Sequence, residues 1–294
     1  MVVKAIAREL ATQLGATCSL EPNRESDGRD LPRCSRWRCG SDLLFVKIAA
    51  AATYGQLAAE AAGLRELARA GALRVPEVRA QGIAGGFAFL ALEWIEAIPG
   101  DDATERWLGE GLAALHAVHA GQFGWDIDNT IGPTPQGNGW CAEWTVFWRE
   151  RRLRPQLERA VRSGYGRLLE EVGGRLLGAV SVFLADHAPQ PSLLHGDLWA
   201  GNWCADSSGR PVIFDPAVYY GDRETDLAMS RLFGGFGRAF YEAYLHTAPL
   251  PTGHEVRTEL YNLYHVLNHA NLLGGGYPSR ARSMIDRLLA QVHT

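Results

Sequence analysis

The sequence predicts a two-lobed α+β protein, with a small mixed α/β N-terminal lobe and a mostly helical C-terminal lobe. Three observations point there. Apolar residues in the first hundred positions switch between helical spacing and short strand-like runs. Pro99, Gly100 and Asp101 then punctuate the chain. Beyond them the apolar pattern is helical almost throughout, residues 193–216 being the exception. A length of 294 residues suits one large domain or two lobes. The expected division is a lobe at 1–97 and a lobe at 98–294.

The elements follow in order. Val3, Ile6, Leu10 and Leu14 recur at helical intervals, so residues 2–14 form a helix. Residues 18–40 are polar and turn-rich, with room for one short strand. Leu43 to Ile48 (LLFVKI) is a buried-strand run. Residues 54–70 make a helix with Leu57, Leu64 and Leu67 inward. Phe87 to Trp94 is a second strand. No internal repeat or low-complexity linker interrupts the chain.

Composition removes several classes of function. With 47% hydrophobic and 21% charged residues the chain is a folded protein, not a disordered one. A net charge of -4 argues against a nucleic-acid binder held by phosphate contacts. No stretch approaches the roughly 18 apolar residues of a membrane span. Arg8 and Glu9 stand where a signal peptide needs its apolar run. The expected location is therefore cytoplasmic, without a membrane partner. Five cysteines, an odd number with no C-x-x-C pair, read as reduced thiols and not as a disulfide framework or zinc site. Only Lys4 and Lys47 are lysines among 29 basic residues. Lys47, inside an apolar strand of a chain that otherwise uses Arg, marks a place where a compact ammonium is wanted.

The strongest chemical signal is His195-Gly196-Asp197-Leu198-Trp199-Ala200-Gly201-Asn202. It fits the H-x-D-L-x-x-x-N pattern of a phosphoryl-transfer loop. An acceptor hydroxyl needs a carboxylate to orient it and take its proton, the part Asp197 would play. A metal between phosphates needs an oxygen ligand from the same loop, which Asn202 offers five residues on. Asp215 ends the apolar run Val212-Ile213-Phe214 and would bring a second carboxylate to the metal. The plainer reading is an ordinary Asp/Asn turn with an N-cap Asp, which leaves Asp215 unexplained. Lys47 then reads as a ligand of the nucleotide phosphates, oriented by Glu60 on the following helix, with Glu66 as a rival partner. Trp199 offers an aromatic face toward an acceptor, and His195 is placed with it on the acceptor side.

HGDLWAGN at 195–202, followed by FDPAVYYGDRETDLAM at 214–229, resembles the fructosamine kinase (ketosamine 3-kinase) family. Further matching segments are FVKI at 45–48, AEAAGLREL at 59–67, RVPEV at 74–78, LALEWI at 90–95 and LAALHAVH at 112–119. FGWDIDNTIGPTPQGNGW at 123–140, FWRERRL at 147–153 and LYNLYHVLNHANLLGGGY at 260–277 complete the set. The resemblance covers residues 43 to 290. It implies the protein-kinase-like fold shared with aminoglycoside phosphotransferases, and a kinase dependent on ATP and Mg2+. The substrate implied is a ketosamine, such as fructosyl- or ribulosyl-lysine, free or on a protein. Phosphorylation of its 3-hydroxyl makes it unstable, so the amine is released and glycation is reversed. By the same match Asp197 is the base, Asn202 and Asp215 bind the metal, and Lys47 binds phosphates. The backbone of Glu93, Trp94 and Ile95 forms the hinge that holds adenine.

The chain departs from the family before Lys47. A Gly-rich turn normally cradles the phosphates there. Here the stretch is Glu25-Ser26-Asp27-Gly28-Arg29-Asp30, whose acidic groups Arg29 or Arg33 would have to offset.

Other candidates carry milder expectations. Asp222 and Asp226 read as loop-closing and helix-capping residues, with Asp226 bracing the catalytic loop. His265 and His269, four apart, read as helix packing or a polar wall in preference to a metal pair. His116 and His119 read as packing or surface residues. Gln136 and Asn138 are turn-like and conceivable on the substrate side. Arg149, Arg151 and Arg152 read as a solvated helix face. Three alternatives stay open: a kinase of the same fold acting on an aminoglycoside, choline or homoserine, a non-catalytic nucleotide binder, and an interaction scaffold.

Overall fold

The computed structural model describes residues 2–21 and 33–292. The glycine-poor stretch Glu25–Asp30, with Arg29, lies outside the described residues. The chain divides into two compact units. One comprises Met1–Thr104 and Trp203–Pro216, the other Glu105–Asn202 and Ala217–Thr294. The first unit is thus discontinuous, taking in a later segment beyond the stretch that a cut at 97/98 assigns to it.

The first unit opens with α1 (Val2–Leu14), β1 (Cys18–Leu20), β2 (Cys34–Cys39), β3 (Asp42–Ala50), α2 (Tyr54–Ala70), β4 (Val78–Ala84) and β5 (Phe87–Glu93). The five strands form an antiparallel sheet in the order β1-β2-β3-β5-β4. Strand β2, CSRWRC, alternates exposed and buried positions, as a half-buried strand must. Its inward Trp37 joins Leu44, Val46 and Phe89 in one cluster, closed by Ile6 and Leu10 of α1. Strand β5 lies between β3 and β4 and is buried from Ala88 to Leu92, which explains its unbroken apolar run. Helix α2 buries Leu57, Leu64 and Leu67 as its spacing predicts, and ends on Gly71 at φ +65°.

The chain continues through α3 (Asp102–His116), the hairpin β6 (Asn129–Ile131) and β7 (Thr134–Gln136), α4 (Trp144–Phe147), α5 (Arg154–Ala160), α6 (Gly166–Phe183) and β8 (Ser192–Leu194). It returns to the first unit as β9 (Trp203–Ala205) and β10 (Pro211–Ile213), which pair antiparallel. Ala205 bridges Ile98, and Val212 bridges Arg74, and these contacts anchor the segment there. The second unit resumes with β11 (Tyr219–Gly221), paired to β8, then α7 (Glu224–Leu232), α8 (Arg238–Thr247), α9 (His254–Leu273) and α10 (Tyr277–Val292). Helix α9 is buried on nearly every face from Leu260 to Asn268. No helix among the described residues is long and apolar enough to cross a membrane.

Three expectations are corrected. The described residues within 18–40 hold two strands, not one. Strand β4 and the β6–β7 hairpin fall where no strand was expected. The cysteines are not all reduced. Cys18 and Cys39 face each other across β1 and β2 and are joined by a disulfide, with Cys34, Cys141 and Cys204 free. Counting cysteines could not show this, because the strand register is what places the two opposite each other.

His265 lies within α9, where burial first and nearby His269 second push its imidazole pKa down to about 3. The sign follows from linkage. The unfolded chain takes up a proton near pH 6.5 that the folded chain refuses. His265 therefore contributes its full share of stability above pH 6.5, and that share is lost as pH falls toward 3. At pH 5 the loss is about 2 kcal/mol. Thermal melts at pH 7.5 and 5 should show a flatter pH dependence for His265→Gln than for the wild type. Equal slopes would remove His265 from the acid response.

Candidate active site

In the first unit, Leu44, Val46 and Ile48 of β3 point into the core, so Lys47 lies on the opposite face. Its Nζ is 2.8 Å from Glu60 Oε1 of α2 and 2.7 Å from Asp215 Oδ1 just beyond β10. The rival Glu66 instead pairs with Arg69. Burial opposes the Lys47 charge, but Glu60 and Asp215 outweigh it and hold its pKa above the usual ammonium value. Burial pushes the Glu60 carboxyl up, and Lys47 offsets this only in part. The Lys47–Glu60–Asp215 trio holds two carboxylates against one ammonium. Its excess negative charge suits a cation.

Asp215 has φ +56°, the one positive φ of a non-glycine residue among those described. Such a conformation costs of order 1–3 kcal/mol and gathers at functional sites. Its side chain is nearly half exposed, so its carboxylate is open to a ligand as well as paired to Lys47.

The second unit holds the loop His195–Asn202, which leaves β8 and is closed by β11. The backbone N–H groups of His195 and Gly196 donate to Asp226 Oδ2 and Oδ1 at 2.8 and 2.9 Å. Asp226 is buried, and His116 Nε2 lies 3.2 Å from its Oδ2. Burial alone would raise its pKa, but His116, His195 and the N–H of Gly196 hold the carboxyl below its usual range. Asp226 therefore braces the loop. Gly196 has φ +82°, and a Cβ there would lie 2.1 Å from the Ala217 carbonyl oxygen, so only glycine fits.

Asp197 is partly exposed on this braced loop. The Asn202 amide donates to the Asp197 carbonyl at 2.8 Å and to Asp197 Oδ2 at 3.2 Å, which fixes the two side chains relative to each other. Trp199 is 37% exposed and packs edge-on against Phe233. His195, expected on the acceptor side, is fully buried, and its Nδ1 accepts the Asp197 N–H at 3.2 Å, so it shapes the loop from within.

Glu93, Trp94 and Ile95 follow one another out of β5. Glu93 N–H donates to the Glu77 carbonyl and Trp94 N–H to the Leu43 carbonyl. Of the three expected hinge residues, Ile95 is the one left to offer a backbone donor.

Several other candidates change character. Gln136 and Asn138 are buried. The Gln136 amide donates to Asn129 Oδ1 and to the Ala217 carbonyl, and its oxygen accepts from Tyr264, so it supports the segment after Asp215. Arg152 is not solvated. It is fully buried, lies 4.1 Å over the Tyr219 ring, and donates to Gly137 O and Asn138 Oδ1. The helix widens to a π form over Trp148–Leu153, and this register sets Arg152 inward. His269 Nδ1 lies 2.8 Å from the His265 carbonyl oxygen, so the two imidazoles do not converge on a metal. His187, Asp222 and Glu224 do come together. Yet Arg257 donates to both Glu224 oxygens, and Tyr261 and the Glu224 N–H donate to Asp222, which satisfies all four carboxylate oxygens within the protein. Arg74 opens the RVPEV segment, but the sequence assigns it no role; it joins Glu93 to Asp206.

The family model for fructosamine kinase matches residues 2–291. The chain belongs to the fructosamine kinase family. A protein of Synechocystis sp. named as a ketoamine kinase is 41% identical over 287 residues, covering 97% of this chain and 96% of that one. A solved structure described as a fructosamine-3-kinase of Haemophilus somnus 129PT is 30% identical, with a TM-score of 0.86 and 97% of each chain covered. A choline kinase of Streptococcus pneumoniae, 17% identical with a TM-score of 0.56, covers 97% of this chain and 98% of its own and shares the fold alone. The fold is the protein-kinase-like one, and the chain is an ATP-using phosphotransferase.

Proposed function

We propose that this member of the fructosamine kinase family transfers the γ-phosphoryl group of ATP to the 3-hydroxyl of a ketosamine, free or protein-bound. The observation that carries the reading is the braced loop presenting Asp197 beside Asn202. Asp197 orients the sugar hydroxyl and takes its proton as the oxygen attacks phosphorus. Lys47, held charged by Glu60, binds the phosphates. The oxygen donors of Asn202 and Asp215 suit Mg2+, and these residues would hold it. Bound there, the ion would neutralise charge on the phosphates. The backbone donor for adenine is Ile95, and Trp199 is the wall against which the sugar ring stacks. A cytoplasmic location is part of the proposal.

ATP turnover on fructosyl-lysine, ribulosyl-lysine, kanamycin, choline and homoserine tests the acceptor class. Activity is expected on the two ketosamines. Robust turnover on kanamycin, choline or homoserine with none on the ketosamines would overturn the assignment. In the same assay Trp199→Ala should lose about 1–3 kcal/mol of acceptor stacking, by analogy with bases stacked on aromatics. That is a roughly five- to 150-fold fall in acceptor kcat/KM, with the KM for ATP unchanged. Unchanged ketosamine kinetics would take Trp199 out of the acceptor site.

A further inference from the structure

We propose that Arg74 is a positioning residue for the nucleotide, one side chain and its own carbonyl tying the adenine end of the site to the metal end. The inference rests on the roles proposed for Glu93–Ile95 and Asp215. Arg74 lies between α2 and β4, in a segment without regular structure. Its Nη2 pairs with Glu93 Oε1, at the last residue of β5 before the hinge. Its Nη1 pairs with Asp206 Oδ2, in the turn between β9 and β10. Its carbonyl accepts the Ile213 N–H at 3.0 Å, two residues before Asp215.

Both carboxylates are themselves anchored. Glu93 Oε2 accepts the Glu77 N–H at 3.3 Å. Asp206 is buried, and its Oδ1 accepts from the N–H and hydroxyl of Ser208 and the N–H of Arg210. Asp206 therefore organises the β9–β10 turn, and its Oδ2 is shared between Arg74 and Arg210 Nε, the latter at 3.2 Å. A planar fork can serve two carboxylates at once, which an ammonium does poorly. Arg74 thereby sets where β5 ends relative to where β10 ends. Those two strand ends carry the hinge and the strained Asp215.

Nucleotide binding to Arg74→Met, Arg74→Lys and Asp206→Asn is measured by titration calorimetry, with and without Mg2+, beside thermal melts. Loss of hydrogen bonds to charged partners predicts a Kd for ATP with Mg2+ raised about ten- to thirtyfold in Arg74→Met. A smaller rise is expected without Mg2+, since only the adenine end is then read. Arg74→Lys should fall between Arg74→Met and the wild type. The KM of the acceptor should stay within twofold. A lowered melting temperature with both nucleotide constants within twofold of wild type would reduce Arg74 to a structural role and overturn the inference. Should Arg74→Met not fold, Arg74→Lys and Asp206→Asn carry the same test. Asp215→Ala is the control. If it too leaves Mg2+-dependent affinity intact, the assignment of Asp215 is what fails. If it alone abolishes that affinity, only the role of Arg74 fails.

Discussion

Asp197→Asn is expected to cut turnover by roughly 10²- to 10⁴-fold while leaving ATP affinity close to wild type. The structure makes this substitution a clean one. The loop is held by backbone bonds to Asp226 and by the Asn202 amide on the Asp197 carbonyl, none of which involves the Asp197 carboxylate. The bond from Asn202 Nδ2 to Asp197 Oδ2 is affected, and the amide oxygen of an introduced Asn can accept it. What disappears is basicity. Steady-state kinetics with a ketosamine acceptor, beside an ATP titration, separate the two effects. A mutant that phosphorylates at near wild-type rate would show that another group takes the proton.

Asp215→Ala should abolish metal-dependent ATP binding. Asp215 supplies the carboxylate of the proposed metal pair, and an amide oxygen from Asn202 alone is a weak ligand for Mg2+. Its loss also leaves Lys47 paired to Glu60 alone. Titrating ATP with and without Mg2+ should give the same weak affinity for the mutant. A preserved difference would sink the metal role. Asp215→Gly separates strain from function. It removes the same carboxylate but relaxes the backbone at φ +56°, so it should be equally defective and melt higher than Asp215→Ala.

The sequence made the ends of this site legible because their chemistry demands rare residues at fixed spacing. Lys47 stood out against an Arg-rich chain, and it pairs with the expected Glu60. Helix α2 and strands β3 and β5 were readable from periodicity, since each buries one clear apolar set. The supports were not. Arg152 lies in a charged run typical of solvent, and only the π turn and the rings of Phe147 and Tyr219 take it inside. His195 sits in the motif yet faces inward, because the same loop must be both presented and held. Strand β4, VRAQGIA, carries too little alternation to announce itself. Cys18 and Cys39 are paired by a register that no spacing rule contains.

The discontinuity of the first unit bears on how the protein is born. Synthesis runs from the N-terminus, and early segments begin to fold as they emerge. Here the sheet, Lys47 and Glu60 emerge first, but β9, β10 and Asp215 follow only after the whole of Glu105–Asn202 has been made. Until then Arg74 has no Asp206 to meet and Lys47 lacks its second carboxylate. The loop carrying Asp197 thus leaves the ribosome before the first unit is finished. On the roles proposed above, a growing chain carries the base before it gains the means to hold metal-bound ATP, so a chain that stops short of Asp215 has no route to metal-dependent ATP turnover. For the same reason, a fragment ending at Thr104 is not a self-sufficient nucleotide-binding module that could be moved intact into another protein.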